Sequence, residues 1–285
     1  MIQSSRFQTV LLLLTLGLAL ALLGCGSTGS GSAGSGGSGG AGGSSGGVLR
    51  ILVTNDDGVH AEGIDAVVEG LRSDPNNEVT VCGPAENQSG TGDATDCGTG
   101  NATEETTQSG YPATAVDGCP ADAVNYALDP ANGLYEAGSL PHVVISGINQ
   151  GQNVSAPIAT AVSGTVGAAK TAARDQGIPA LASSQGTPAP DAEYDYPAGV
   201  EAVLAWLAAH RGALAAGTVT TEEVDNLNIP SCETGSIRGL VEVPMAESSA
   251  GAITAQDCES MLEDPENDVE ALNNGYTTLG PVPAN

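Results

Sequence analysis

Short apolar runs alternate with helix-patterned segments along this 285-residue chain, and that alternation restricts the fold more than any other feature. Residues 49–54 read as a strand and residues 63–72 as an apolar-periodic helix. Residues 79–82 form a second strand, and Pro120 opens a short helix over 121–128. A strand at 142–145, a helix at 163–174, a strand at 180–183, a helix at 198–210 and a strand at 227–229 follow. Strands separated by helices predict an α/β fold: a doubly wound, mainly parallel sheet between two helical layers. The region from Cys232 onward is less regular and is expected to form a protruding C-terminal arm or hairpin rather than core.

The first of these strands ends unusually. Ile51-Leu52-Val53 runs through Thr54-Asn55 into two adjacent carboxylates, Asp56 and Asp57, and then Gly58. In open α/β sheets, ligands sit at the carboxyl ends of the strands. Neighbouring acids there repel each other unless a cation holds them, and a divalent metal is the usual partner. Asp-Gly is also a common turn dipeptide, so the local sequence by itself leaves both readings open.

Three more strand ends carry polar clusters. Cys82 is followed by Gly83 to Gly90, which includes Asn87-Gln88-Ser89; Ile145 is followed by Ser146-Gly147-Ile148-Asn149-Gln150-Gly151-Gln152-Asn153. Ser163-Gly164-Thr165 opens a helix. A parallel sheet brings these loops to one edge, near Asp56 and Asp57. Two carboxylates, the Ser89 hydroxyl and the Asn149 amide oxygen make an all-oxygen donor set, suited to Mg²⁺ or Mn²⁺, with Ca²⁺ as a further option. The helix mouth at Ser163, with free N–H groups, two hydroxyls and a glycine, makes a phosphate cradle. His60 could donate a proton or merely flank the helix. Lys170 and Arg174, at i,i+4, read as a solvated surface pair.

Charge narrows the partners. Seven Lys+Arg against 34 Asp+Glu give a net charge of −27, which argues against a nucleic acid polymer, since phosphate-backbone binding needs clustered cations. A small phosphorylated substrate remains compatible, because a bound metal inverts the local field.

The first residues read as targeting rather than fold. Arg6 precedes an apolar stretch over 10–23 that is too short for a comfortable membrane span, and it ends in Leu22-Leu23-Gly24-Cys25. That ending resembles a bacterial lipobox, which would make residues 1–25 a lipoprotein signal peptide and Cys25 a lipidated anchor; ordinary secretion is the alternative. Residues 26–47 are almost wholly Gly, Ser and Ala, a flexible tether on the order of 25 Å end to end. Residues 48–285 suit one α/β domain. The expected location is the cell envelope, facing the periplasm. Five cysteines follow Cys25, an odd number; Cys82, in an apolar strand, is the best candidate for a buried free thiol. Proximity suggests pairing Cys97 with Cys119 and Cys232 with Cys258.

Taken together, these segments resemble the SurE family of stationary-phase survival proteins, metal-dependent nucleotidases and acid phosphatases. The matching residues are Asn55-Asp56-Asp57-Gly58 with Val59-His60-Ala61, Asn87-Gln88-Ser89-Gly90, and Asp117 to Asp122. They continue with Ser146-Gly147-Ile148-Asn149, Ser163 to Ala169, Gly177-Ile178-Pro179-Ala180-Leu181, and Asn267 to Leu272 with Gly275-Tyr276. The resemblance implies that Asp56, Asp57, Ser89 and Asn149 ligate one metal, and that Asn153, Ser163, Gly164 and Thr165 surround the phosphate. It further implies a Rossmann-like fold, a C-terminal segment used in dimer or tetramer assembly, and hydrolysis of nucleoside monophosphates. Two departures stand out: Cys119 replaces a usual Thr, and the stretch from Val154 to Val162 lacks the acidic residue and Tyr of most bacterial members.

The expected enzyme is therefore a phosphoric monoester hydrolase using Asp56, Asp57 and Asn149, with either water or Asp56 as nucleophile. The alternative is a non-catalytic lipoprotein that binds nucleotide or metal on the same fold.

Overall fold

The computed structural model describes residues 47–285; the signal segment, Cys25 and residues 26–46 of the tether lie outside the described residues. In chain order the elements are β1 (Leu49–Thr54), α1 (Glu62–Arg72), β2 (Asn77–Pro84), β3 (Ala102–Thr106), β4 (Pro112–Val116) and α2 (Pro120–Leu128). Then come β5 (Val143–Gln150), α3 (Ala156–Ala161), α4 (Gly164–Gln176), β6 (Ala180–Gln185), α5 (Tyr196–Ala215) and β7 (Glu223–Ile229). The chain closes with β8 (Leu240–Glu242), α6 (Asp268–Asn273) and β9 (Thr277–Pro283).

The strands form one nine-stranded sheet in the order β3-β4-β2-β1-β5-β6-β7-β9-β8. Pairings β2–β1, β1–β5, β5–β6 and β6–β7 are parallel, as the alternation of strands and helices requires. The order turns at β1: β2 lies on one side, β5 and its successors on the other. That topological switch point opens a crevice at the carboxyl ends of β1 and β5.

The pleat of β1 explains the three layers. Ile51 and Val53 point to one face, where they pack with Ile64, Val67, Val68 and Leu71 of α1 and Val203, Trp206 and Leu207 of α5. Leu52 points to the other face, against Val124 of α2 and Val166, Ala169 and Ala172 of α4. All three β1 side chains are fully buried, each contributing about 1.5–3 kcal/mol of apolar transfer.

Helix α4 is placed by its ends and its small residues. The Ser163 hydroxyl accepts the Val166 N–H at 3.1 Å, and Gly177 at φ 66° closes the other end in the left-handed region. At Gly167 a side chain has no room, because a Cβ would overlap the Gly92 carbonyl. The loop following Ser89 therefore lies directly on α4.

Several sequence expectations are corrected. The region after Cys232 does not stand apart from the sheet: β9 pairs antiparallel with β7, and β8 pairs parallel with β9 at the sheet edge. Its anchor is Val282, fully buried beside Val224. The antiparallel pair β3–β4 also escapes sequence reading, because β3 is Ala-Thr-Glu-Glu-Thr, an almost wholly polar edge strand. Lys170 and Arg174 are not a solvated pair. Lys170 is buried, and both cations reach Asp93, at 3.4 and 2.8 Å, fastening the Ser89 loop to α4.

The cysteines pair as proximity suggested, Cys97 with Cys119 and Cys232 with Cys258, and Cys82 is the buried free thiol. Burial pushes the Cys82 thiol up to about 12, so it stays protonated and unreactive.

Candidate metal and phosphate site

The tip of β1 is a tight, buried turn. The Asn55 side-chain amide donates to the Gly58 carbonyl at 2.9 Å, and Gly58 sits at φ 99°, where a side chain would be strained. This turn aims the two acids in different directions.

Asp56 is only 3% exposed. Its Oδ1 accepts the Thr165 hydroxyl at 2.6 Å, and its backbone carbonyl accepts the Gln88 N–H at 2.7 Å. Helix α4 begins against it: a Cβ on Gly164 would stand 2.8 Å from Asp56 Cβ and 3.0 Å from Oδ2. Only glycine lets the helix mouth come so close. Asp57 is half-buried. Its Oδ1 accepts the Asn87 amide at 3.1 Å and its Oδ2 the Gln150 N–H at 2.8 Å, so it ties the ends of β2 and β5 together.

The electrostatics are those of an unbalanced pair. Burial first and the neighbouring Asp57 charge second raise the Asp56 carboxyl to about 6, against the opposing pull of the Thr165 hydroxyl and nearby N–H groups. Burial also raises Asp57, against the donors from Gln150 and Asn87. Among the described residues no Lys, Arg or His forms an ion pair with either acid. Two adjacent carboxylates without a protein cation are what a divalent ion would neutralise.

The remaining donors converge on the same place. Asp56, Ser89, Asn149, Asn153 and Ser163 line one cleft of about 230 Å³. The Asn149 amide nitrogen donates to the Gly151 carbonyl at 2.6 Å, which leaves the amide oxygen as the free ligand atom. Asp57 borders this cleft through Gln150, and each of its oxygens keeps a lone pair beyond the one hydrogen bond it accepts. The set Asp56, Asp57, Ser89 and Asn149 thus fits a hard, oxygen-seeking cation. The sulfur-rich group Cys97, Cys119 and Asp122 does not, because its two sulfurs are bonded to each other.

The four expected phosphate residues divide into two roles. Ser163 lines the cleft, and Gly164 presents backbone only. Thr165 is fully buried, with its hydroxyl spent on Asp56. Asn153 stands behind it, its amide donating to Thr165 Oγ1 at 3.2 Å and Ser184 Oγ at 2.9 Å. Its backbone is held as well, by Asn228 at 2.7 Å and Asn226 at 2.8 Å. This buried chain orients Asp56, the kind of outer support that tunes a ligand's geometry. Thr165→Val is expected to lower divalent-ion affinity by about 10- to 100-fold, checked by calorimetric titration of Mn²⁺.

Sequence reasoning missed several positioning groups. The motif Asn87-Gln88-Ser89 signals a ligand at Ser89 and gives no hint that Asn87 holds Asp57. Ser184, Asn226 and Asn228 come from β6 and β7, where polar residues inside apolar strands were the available signal. His60 lies outside the cleft: it is exposed, 3.9 Å from Glu105 on β3. The larger cavity of about 780 Å³ along β2, β3 and β4 is lined by none of the candidate metal or phosphate residues.

The family model described as "Survival protein SurE" matches residues 51–251. The chain belongs to the SurE family. The protein called 5'-nucleotidase SurE from Halobacterium salinarum is 32% identical over 261 residues, covering 82% of this chain and 91% of the relative. The 5'/3'-nucleotidase SurE of Cronobacter sakazakii is 31% identical over 250 residues, covering 82% and 90%. Among solved structures, the SurE protein from Aquifex aeolicus superposes with a TM-score of 0.62 at 23% identity, covering 83% of this chain and 94% of that one, and so supports the SurE fold. The motif residues quoted from the sequence between Asn55 and Leu181 all fall inside the matched SurE span.

Proposed function

We propose that this chain is a metal-dependent phosphomonoester hydrolase acting on nucleoside monophosphates. The observation that carries the reading is the carboxylate pair at the tip of β1, without a protein cation, among oxygen donors and beside the mouth of α4. The nucleotidase names of the relatives support the same substrate class.

Asp56, Asp57, Ser89 and Asn149 would hold one divalent ion, Mg²⁺ or Mn²⁺ by the hardness of the donors. When bound, such an ion supplies Lewis acidity that polarises a phosphoryl oxygen and acidifies water. The chain does the rest. The Gly164 N–H at the mouth of α4 and the Ser163 hydroxyl, which can still donate while its oxygen caps Val166, would hold the phosphoryl oxygens and stabilise developing negative charge. Thr165 and Asn153 keep Asp56 in one orientation throughout. The adjacent acids lack the Asp-x-Asp spacing of aspartyl-phosphate enzymes, which favours water as the nucleophile.

The test is hydrolysis of p-nitrophenyl phosphate and a nucleotide panel with Mg²⁺ or Mn²⁺, then with EDTA. Turnover that chelation abolishes and metal restores is the expected result. Nucleotide binding without turnover would instead support a non-catalytic binding lipoprotein.

The envelope location belongs to the same proposal. Leu22-Leu23-Gly24-Cys25 and the Gly/Ser stretch behind it support an exported, lipid-anchored enzyme, with labelled palmitate incorporated by the wild type and not by Cys25→Ala. No helix of the described residues is long and apolar enough to cross a membrane. Family resemblance supports a homodimer or tetramer, to be read by light scattering.

A further inference from the structure

The Asp56 cleft is polar except at two positions. Of the side chains that line it, only Val162 and Ile253 are apolar, and both are unusually open to solvent, 48% and 73% exposed. A single exposed aliphatic residue is ordinary on a protein surface. Two of them on separate segments, bordering one small polar cleft, call for a reason.

Neither is on a loose loop. The backbone on both sides of Ile253 is held by one side chain: Gln152 Nε2 donates to the Ala252 carbonyl at 2.9 Å and the Thr254 carbonyl at 3.2 Å. Ala252 itself is fully buried in a small core with Val154, Val269 and Leu272. Asn273 closes the turn, donating to the Gly251 carbonyl at 2.9 Å and accepting the Thr254 hydroxyl at 2.8 Å. Gln152 also accepts the Thr187 N–H at 2.7 Å, so the strap is fixed to the cleft wall. Val162 is held by its own carbonyl, which accepts the Gly92 N–H at 3.0 Å. The fold thus presents both aliphatic side chains to solvent on fixed backbone.

Size says what they face. A cleft of about 230 Å³ falls below the roughly 300 Å³ at which pockets begin to enclose a drug-sized ligand. It takes a phosphate and adjoining sugar atoms, and the rest of a nucleotide must lie at the mouth. A nucleobase offers a flat apolar face there, and the lips of the cleft are where that face meets carbon.

We propose that Val162 and Ile253 form an aliphatic seat for the base of a nucleoside monophosphate whose phosphate occupies the Asp56 cleft. The inference rests on the phosphatase reading above and adds to it the residues that distinguish a nucleotide from a bare sugar phosphate. Val162 and Ile253 bind without touching the reacting atoms, so their contribution falls on KM.

The experiment compares AMP with ribose 5-phosphate, which shares the phosphate and sugar and lacks the base, under saturating Mn²⁺. Wild type is expected to prefer AMP in kcat/KM, and Ile253→Ala to reduce that preference about tenfold through the KM for AMP. Ile253→Leu restores it, and Val162→Ala acts in the same direction. Because Ile253 is largely exposed, the Tm of Ile253→Ala stays near that of wild type, which excludes misfolding as the cause. Equal losses on both esters, or a preference unchanged by either alanine, overturn the base seat while leaving the phosphatase reading intact. Wild-type enzyme that hydrolyses neither ester overturns that reading, and the seat with it.

Discussion

Asp57→Ala is expected to lower kcat/KM for p-nitrophenyl phosphate or AMP by about 10³-fold or more, a loss of about 4 kcal/mol of transition-state stabilisation. The size follows from what the side chain does in two places at once. Its carboxylate is half of the charge that would hold the cation, and its oxygens also fasten Asn87 and the Gln150 N–H. Asn87 lies two residues from Ser89, and Gln150 is next to Asn149, so the substitution disturbs three of the four ligands. Asp57→Asn separates the contributions, since it keeps the volume and one acceptor and removes the charge. Both variants are expected to lose the thermal stabilisation that Mn²⁺ confers on the wild type, read by differential scanning calorimetry. Retention of that stabilisation with activity lost would instead assign Asp57 a part in chemistry alone.

The second large effect is structural. Asp268, only 5% exposed, accepts three backbone N–H groups: Ser155 at 2.7 Å, Ala246 at 2.8 Å and Val269 at 2.8 Å. It therefore joins the chain leaving the cleft at Asn153 to the segment before α6 and to α6 itself. Ser155 sits at φ 75°, a conformation that residues other than glycine adopt only when their surroundings hold them there. Asp268→Ala strands three donors that were desolvated on folding and releases that constraint. The expected cost is about 3 kcal/mol, or roughly 6–12 °C in Tm for a domain of this size. Since Ser155 follows Val154, which packs with Ala252, the same variant loosens the wall that carries Ile253. A Tm within 2 °C of wild type, measured by calorimetry, would remove this account of Asp268.

What was legible in the sequence was whatever local chemistry announces. The apolar run of β1, the acids at its tip and the Ser163 cap are each signalled within a few residues, and they fall where periodicity and strand-end logic put them. The polar edge strand β3 was invisible because its pairing with β4 is made by backbone, and its side chains carry no alternation of buried and exposed residues. Lys170 reads as solvated from its local pattern because its partner, Asp93, is 77 residues away in sequence. The same holds for Asp56 and Thr165, 109 residues apart: a hydroxyl expected to face phosphate turned out to be committed to a carboxylate. The C-terminal region looked like an arm because β9 contains Gly280, Pro281 and Pro283, which disguise a strand that needs few donors on its outer side. Ligand types can be read from strand ends, but the groups that orient them come from elements distant in sequence.

The central claim is that four side chains from three strand-end loops share a single divalent ion. The most direct measurement is diffraction from crystals soaked in Mn²⁺, with data collected at the manganese absorption edge. One anomalous peak within about 2.0–2.6 Å of ligand oxygens from Asp56, Asp57, Ser89 and Asn149 is the predicted result. A map with no peak in that cleft at millimolar Mn²⁺, or with the ion bound by other residues, contradicts it.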